Sequence, residues 1–168
     1  MTMSRRAFLA TIGGATLVAL GGRNPAYAAI RGIDHLPIMF KELEPAILAY
    51  RDLGFTVMPG GEHPMGTHNA LVAFVDGSYL ELIAFKRPND QHPWWAMAQA
   101  GGGFIDFCMA TDDLAVDIQA FRDAGVKMRE PGPGGRVRPD GYKLSWVVAS
   151  APEPFKFQVP FLILSAIS

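Results

Sequence analysis

A short segment of this chain occurs twice, and the repeat limits which folds are open to it. The heptapeptide AYRDLGF, which begins at Ala49, returns 71 residues later as AFRDAGV, which begins at Ala120. A repeat at this spacing is typical of one supersecondary unit used twice. A residue that carries chemistry in the first copy therefore has a predictable counterpart in the second copy.

The N-terminal segment has the features of an export signal. Arg5 and Arg6 precede an apolar stretch over residues 8–20, and small residues occupy the cleavage position at 26–28. A charged region, a short apolar region and a small-residue site in this order are typical of a signal peptide. The Ser-Arg-Arg-x-Phe-Leu order resembles the bacterial twin-arginine signal. We therefore predict a cleaved signal over residues 1–28 and a periplasmic or secreted protein.

Composition limits the classes of protein to which the rest of the chain can belong. The 168 residues are 49% hydrophobic, which is typical of a globular domain, here predicted over residues 29–168. Without residues 1–28 the chain keeps 12 basic residues against 16 acidic ones, so nucleic acid is not an expected partner. The apolar stretch of the signal is too short for stable membrane insertion. The chain has no phosphate-binding loop, dinucleotide fingerprint or nucleophile elbow, which argues against nucleotide enzymes and serine hydrolases.

Hydrophobic periodicity predicts the same order of elements in both halves of the chain. Module one, residues 30–86, is predicted as a strand at 33–40, a helix at 43–53 and strands at 55–58, 69–75 and 79–85. A linker covers residues 87–103. Module two, residues 104–164, is predicted as a strand at 104–111, a helix capped by Asp112 or Asp113, a loop at 131–141, and strands at 126–129, 142–149 and 155–164. The fold class is therefore α+β, with two βαβββ modules.

Three segments resemble a known superfamily. They are Ile33-Asp34-His35, Gly66-Thr67-His68-Asn69 and Tyr79-Leu80-Glu81-Leu82. Together with the paired βαβββ modules they resemble the glyoxalase-like branch of the vicinal oxygen chelate superfamily. The resemblance implies that both modules form one glyoxalase/bleomycin-resistance-like half-open barrel. It also implies a cup that binds a small molecule and commonly a divalent metal ion.

The resemblance implies metal ligands at His35 and Glu81, which lie on the first and last strands of module one. Counting 71 residues from His35 gives Asp106, and counting from the last hairpins pairs Glu81 with Gln158. Imidazole and carboxylate groups suit zinc, nickel, manganese or iron. The family commonly has His or Glu where this chain has Asp106 and Gln158. Two interpretations stay open: a metal held by His35 and Glu81 together with Asp106 or His68, or a metal-free pocket of hydrogen-bonded polar residues.

Residues 62–69 form the densest polar segment of the chain. If Val75 pairs with Ser78 across the Asp76-Gly77 turn, then Val72 lies opposite Glu81, and His68 shares the face of Glu81. On that register His68 and Glu81 are the candidate catalytic residues, and Asn69 is a candidate substrate contact. A shift of one residue would turn His68 away from Glu81. A structural role for the Thr-His-Asn sequence is the alternative.

A second polar segment contains candidate substrate-binding residues. Arg136 and Arg138 alternate, so both could lie on one side of a strand and bind a carboxylate or phosphate. Trp146 could form a flat wall against an apolar ligand. The alternative is a solvated turn beside a tryptophan in the core.

Two functions follow from these residues. The first is an exported glyoxalase-like enzyme, a lyase or isomerase, that acts on a small carbonyl- or carboxylate-bearing molecule. The second is a protein of the same fold that binds or sequesters a small molecule without turnover. A homodimeric scaffold without a ligand is a third alternative. The ionisable residues around Glu81 distinguish the first function, because a protein that only binds its ligand does not need them.

Overall fold

The computed structural model describes residues 30–152 and 161–166. The predicted signal at 1–28 and the candidate Gln158 both lie outside the described residues. Within the described part of the chain, no helix is long and apolar enough to cross a membrane.

Module one has the predicted order of elements. The elements are β1 (Ile30–Met39), α1 (Leu43–Asp52), β2 (Met58–Glu62), β3 (Thr67–Ala73) and β4 (Tyr79–Phe85). The helix ends where Gly54 adopts a positive φ of 92°, a conformation that is strained for residues with a Cβ. Its buried side chains Leu43 and Ala46 lie one turn apart and face the sheet.

Module two repeats this order after the linker. The linker contains a short helix, α2 (Trp95–Gln99), and module two consists of β5 (Gly103–Phe104), β6 (Cys108–Thr111), α3 (Leu114–Asp123), β7 (Gly132–Val137), β8 (Lys143–Ala149) and β9 (Phe161–Ala166). The Asp113 side chain accepts a hydrogen bond from the Val116 amide and caps α3, as the sequence predicts.

The strands of both modules belong to one mixed sheet. Its order is β4-β3-β2-β7-β8-β9-β6-β1-β5, with a further parallel pairing between β1 and β4. The modules meet along β1 and β6, which pair at four positions. On the far side β2 and β7 pair only through Glu62 and Val137. The sheet is therefore not a closed barrel, and the architecture is the predicted glyoxalase/bleomycin-resistance-like fold.

Each helix covers one face of its own module, and the opposite face is left for a site. In module one, Leu43 packs with Val57 and with the inward residues of β3 and β4, including Val72 and Leu82. In module two, Leu114 and Ile118 pack in a separate core cluster. A third cluster, built around Met39, Ile83 and Ile105, fills one end of the face that α1 does not cover. The remaining part of that face carries the polar side chains Thr67, Asn69, Tyr79 and Glu81 beside Leu71.

Two strand predictions in module two are wrong. Residues 126–129 are not a strand, and β7 lies in the segment predicted as a loop. The segment is rich in glycine because β7 lies close to its neighbour: a Cβ on Gly134 would overlap the indole ring of Trp146. The predicted strand at 104–111 is also divided, since residues 105–107 lie between β5 and β6 without strand pairing. The repeated helices match their predicted positions closely.

Candidate active site

The register of the β3–β4 hairpin determines which side chains share a face with Glu81. Glu81 pairs with Leu71, so Asn69 and Thr67 lie on its face and His68 lies on the opposite face. The predicted register, with Val72 opposite Glu81, is wrong by one residue. The loop contains three residues, since the Phe74 amide donates to the Ser78 carbonyl, and Gly77 takes a positive φ of 89°. His68 is therefore not beside Glu81.

Glu81 lies at the centre of the polar part of this face, which we call the cup site: Asp34, His35, His63, Thr67, Asn69, Tyr79, Glu81 and Arg136. Only 12% of its side chain is exposed. Oε1 accepts a hydrogen bond from the Asn69 amide at 2.6 Å and lies 3.7 Å from Nε2 of His63. Oε2 lies 3.8 Å from Nε2 of His35. A largely enclosed carboxylate between two imidazoles is suited to proton transfer.

Two contacts hold the His35 ring. Its Nδ1 lies 2.6 Å from Oδ1 of Asp34, within hydrogen-bonding distance. Its face stacks on Tyr79, with ring centroids 4.7 Å apart and an interplanar angle of 13°. The parallel pairing of β1 with β4 sets His35 beside Tyr79 and so produces this stack. The Nε2 atom is left facing Glu81.

His63 is a member of the site that was not among the sequence candidates. It lies in the β2–β3 turn, where its amide donates to the Thr67 carbonyl, and its Nδ1 lies 2.9 Å from the Thr67 hydroxyl. Burial lowers the pKa of His63, Glu81 partly opposes that shift, and the Arg136 guanidinium adds to it. In the sequence, His63 was indicated by its position in the polar segment 62–69. Placing its side chain beside Glu81 required the correct register of the β3–β4 hairpin.

Asn69 connects Glu81 to Arg136. While its amide group donates to Glu81, its Oδ1 accepts hydrogen bonds from the Gly61 amide at 2.8 Å and from Nη1 of Arg136 at 3.3 Å. Gly60 permits this arrangement, because a Cβ there would overlap Oδ1 of Asn69 and crowd Arg136. The predicted substrate contacts Asn69 and Arg136 thus belong to the same cluster as Glu81.

The other two substrate-binding candidates, Arg138 and Trp146, have other partners. Arg138 follows the end of β7, where it forms an ion pair with Asp140 at 2.7 Å and lies over the Tyr142 ring at 5.6 Å. It therefore does not join Arg136. Trp146 pairs with Gly134 in β8, on the same face of the β7–β8 ladder as Arg136, and its indole lies over the Gly134 backbone.

Asp106 is buried, with 2% exposure, and its Oδ1 accepts a hydrogen bond from the Phe107 amide. Together with Asp34 and Glu81 it raises the pKa of the Cys108 thiol, although burial is the largest cause. Cys108 therefore stays a protonated, unreactive thiol. Burial, with Glu81 and Asp34, likewise raises the pKa of Tyr79, which keeps its phenolic proton.

The donor groups do not fit the predicted metal ion. Within residues 30–152 and 161–166, no three His, Cys, Asp or Glu side chains are arranged so that they could hold a metal ion. In addition, the amide of Asn69 already donates to Oε1 of Glu81.

The strand register also changes one predicted counterpart. Glu81 pairs with Pro37 on β1. The residue 71 positions after Pro37 is Cys108 on β6, and it pairs with Phe161 on β9. Phe161, rather than Gln158, is therefore the counterpart of Glu81 in module two.

A cavity of about 280 Å³ opens beside the cup site at the β2–β3 turn. Its lining residues are Glu62, His63, Gly66, Thr67, Lys86 and Arg87. Lys86 forms an ion pair with Glu62, so Arg87 is the remaining cation of this lining. His63 and Thr67 line both this cavity and the cup site.

The fold and the cup site define a protein of the glyoxalase-like class. The sequence matches the glyoxalase-like domain family over residues 33–166. The chain therefore belongs to this family. A comparison with curated proteins finds no match.

Solved structures share this fold. A hypothetical protein from Staphylococcus aureus superimposes with a TM-score of 0.61 at 18% identity, covering 81% of this chain and 59% of that one, so this chain spans less than two thirds of its length. Methylmalonyl-CoA epimerase from Mycobacterium tuberculosis gives 0.57 at 20% identity, covering 82% and 88%. A Streptomyces coelicolor methylmalonyl-CoA epimerase variant in complex with 2-nitronate-propionyl-CoA gives 0.55 at 24% identity, covering 82% and 97%. The fold is thus related to that of enzymes that bind small molecules such as coenzyme A derivatives.

Proposed function

We propose that this protein is an exported enzyme that transfers a proton at the carbon next to the carbonyl or carboxylate of a small molecule. The observation that carries the proposal is the environment of Glu81, which lies between two imidazoles with 12% of its side chain exposed. A carboxylate that only stabilises a fold is usually paired with a cation, whereas Glu81 faces two titratable rings.

Glu81 is the base in this proposal. It takes the proton from the carbon, and the electron pair of the C–H bond remains on the substrate as an enolate. Negative charge then develops on the substrate oxygen, where a fixed positive group lowers the barrier. Arg136 supplies that charge, since its guanidinium is held beside the site through Asn69. The proton finally returns to carbon, so atoms and charge balance.

The names of two related structures agree with proton transfer as the proposed reaction class. Two of the proteins with this fold are named as epimerases, and an epimerase inverts a carbon centre. Their identity to this chain is below 25%, so the likeness concerns the fold alone. We propose a small substrate because Glu81 and Arg136, the groups assigned to the reaction, lie close together in the cup site, where Asn69 contacts both of them.

Isotope exchange tests the proposal without a known substrate. The full chain is incubated in D₂O with 2-oxo acids, 2-hydroxy acids and short acyl thioesters, and proton NMR follows loss of the signal from the carbon-bound hydrogen. We expect exchange in at least one class, and Glu81→Gln should slow it by about 100-fold or more. The exposed Glu130→Gln is the matched control and should exchange at the wild-type rate.

Two outcomes would contradict an enzyme. Exchange in no compound class, with saturable binding of one of them, would instead support the sequestering protein. Exchange that is unchanged in Glu81→Gln would remove Glu81 from the reaction.

Export is a separate part of the proposal, supported by Arg5, Arg6 and the small-residue site at 26–28. In a bacterial host we expect the protein in the periplasmic fraction, shortened by about 28 residues. The double variant Arg5→Lys/Arg6→Lys should stay in the cytoplasm, while Arg23→Lys, also within the signal, should still be exported. Cytoplasmic wild-type protein would refute export.

A further inference from the structure

We propose that Asp34 is a positioning residue that holds His35 in the tautomer with its proton on Nδ1, which leaves Nε2 as a proton acceptor facing Glu81. The part that His35 would play in catalysis rests on the proposed function, but the tautomer itself does not. Asp34 was part of the motif that suggested the family.

A β-bulge brings Asp34 to the His35 ring. Along the seam between the modules, Ile33 pairs with Met109 and His35 pairs with Cys108, so two steps on β1 match one step on β6. Asp34 is the extra residue. In a regular strand its side chain would point away from that of His35, whereas a bulge redirects side chains locally. Here the carboxylate reaches Nδ1 at 2.6 Å.

The contact determines where the proton of the neutral ring lies. An ionised carboxylate only accepts hydrogen bonds, so Nδ1 must be the donor, and a neutral imidazole then has no proton on Nε2. The stack on Tyr79 prevents the ring from turning over to exchange the two nitrogens. Both side chains are largely enclosed, with 13% exposure for His35 and 21% for Asp34.

The other end of the ring agrees with this assignment. Nε2 of His35 and Oε2 of Glu81 are 3.8 Å apart, beyond the range of a hydrogen bond. Nε2 without a proton and an ionised Oε2 are both acceptors, so they form no hydrogen bond with each other. A proton on Nε2 would instead form a hydrogen bond to Oε2 and shorten this distance. His63 differs, because its Nδ1 partner is the Thr67 hydroxyl, which can either donate or accept. Of the two imidazoles beside Glu81, His35 is thus the one whose Nδ1 partner fixes the tautomer.

This tautomer gives the site a second base. In the proposed reaction the proton passes from carbon to Oε2 of Glu81, from there to Nε2 of His35, and back to the enolate. No oxidant, reductant or co-reactant is needed.

Nitrogen NMR of the full chain labelled with ¹⁵N-histidine tests the tautomer. The chain has four histidines, and the signals of His35 are assigned by their loss in His35→Gln. In the neutral ring we expect Nδ1 to carry the proton. Asp34→Ala should move the proton to Nε2, which can then donate to Glu81. Asp34→Asn keeps an acceptor oxygen in place and should retain the wild-type tautomer.

Each outcome decides the inference. A wild-type His35 with its proton on Nε2 overturns the proposal without any variant, so misfolding of Asp34→Ala cannot conceal the answer. Retention of the Nδ1 proton in a folded Asp34→Ala variant overturns the role of Asp34. Failure of the exchange assay would remove the proposed reaction and leave the tautomer result unaffected. If exchange is observed, Asp34→Ala should reduce kcat by about tenfold or more with little change in KM.

Discussion

Replacing Asn69 with aspartate tests the connection between Asn69 and Glu81 directly. The two side chains have nearly the same shape, so Asn69→Asp keeps an acceptor for the Gly61 amide and for Arg136. It replaces the donor to Glu81 with a second carboxylate at the same 2.6 Å distance. The variant thus converts one hydrogen bond into a pair of like charges.

The geometry limits the size of the effect. Two carboxylates at this distance repel by about 6 kcal/mol at an effective dielectric constant of 20. Keeping one of them protonated at pH 7 costs only about 4 kcal/mol, because an ordinary carboxyl pKa is near 4. The folded variant therefore binds a proton that its unfolded chain does not. Its loss of stability at pH 7 should be at most about 4 kcal/mol, reduced by the attraction of Arg136 to the new carboxylate.

The sign of the pH dependence follows from that proton. Since the folded state binds one more proton than the unfolded state, the stability of Asn69→Asp relative to wild type falls by about 1.4 kcal/mol for each unit of rising pH between pH 5 and 7. Near pH 4 a shared proton replaces the lost hydrogen bond, and the two proteins should be almost equally stable. Urea unfolding at half-unit pH intervals measures this difference.

The control removes the partner charge. In Asn69→Asp/Glu81→Gln, compared with Glu81→Gln, the slope should disappear, because the new carboxylate meets an amide. A difference between Asn69→Asp and wild type that does not change with pH would refute the contact between these two residues.

Three further outcomes are expected. The Asp117 side chain is fully buried, and burial raises its pKa, so the penalty for its charge is present at neutral pH and is relieved as pH falls through the folded-state pKa. Asp117→Asn should therefore stabilise the protein by about 1–3 kcal/mol at pH 7 and by less at pH 4. Urea unfolding measures this difference, with the exposed Asp123→Asn as control. Equal effects at both pH values would contradict the prediction. Gly134→Ala should cost about 1–3 kcal/mol and shift the indole NMR signal of Trp146, because the ring must move; an unchanged signal would contradict the contact. Elemental analysis of natively purified protein should find less than one divalent ion per chain, and one ion that is lost in both His35→Ala and Glu81→Ala would restore the metal site.

The sequence predicted the elements whose signals are local. The strand at 79–85 has the predicted bounds, and the repeated helices lie where their apolar periodicity and glycine stops indicate. The strand β7 was missed because its glycines disfavour a strand locally. Its stability comes from pairing with β8, and its lack of side chains makes room for Trp146. Such a strand depends on partners that are distant in the sequence.

The candidate site depended on one turn. The Asp76-Gly77 pair indicated a hairpin but not its loop length, and a third loop residue moved every side chain of β3 to the other face. This shift removed His68 from the cup and placed Asn69 in it. Residues linked by local sequence, such as Asp34 and His35, could be recognised as a motif. The approach of His63 to Glu81 requires the fold.

The weak pairing between β2 and β7 has a mechanical consequence for the cup. On one side β1 pairs with β6 at four positions and with β5 at two, whereas the other side has one pair, where the backbone of Gly61 lies against Val137. A rotation about the β1–β6 side is therefore the change in cup width that disturbs the fewest strand pairings between the modules. The bond from Arg136 to Asn69 joins β7 to β3 on the side that would open. An anion that draws Arg136 away from Asn69 would thus loosen the two halves as it binds, so that the strength of binding and the width of the cup change together.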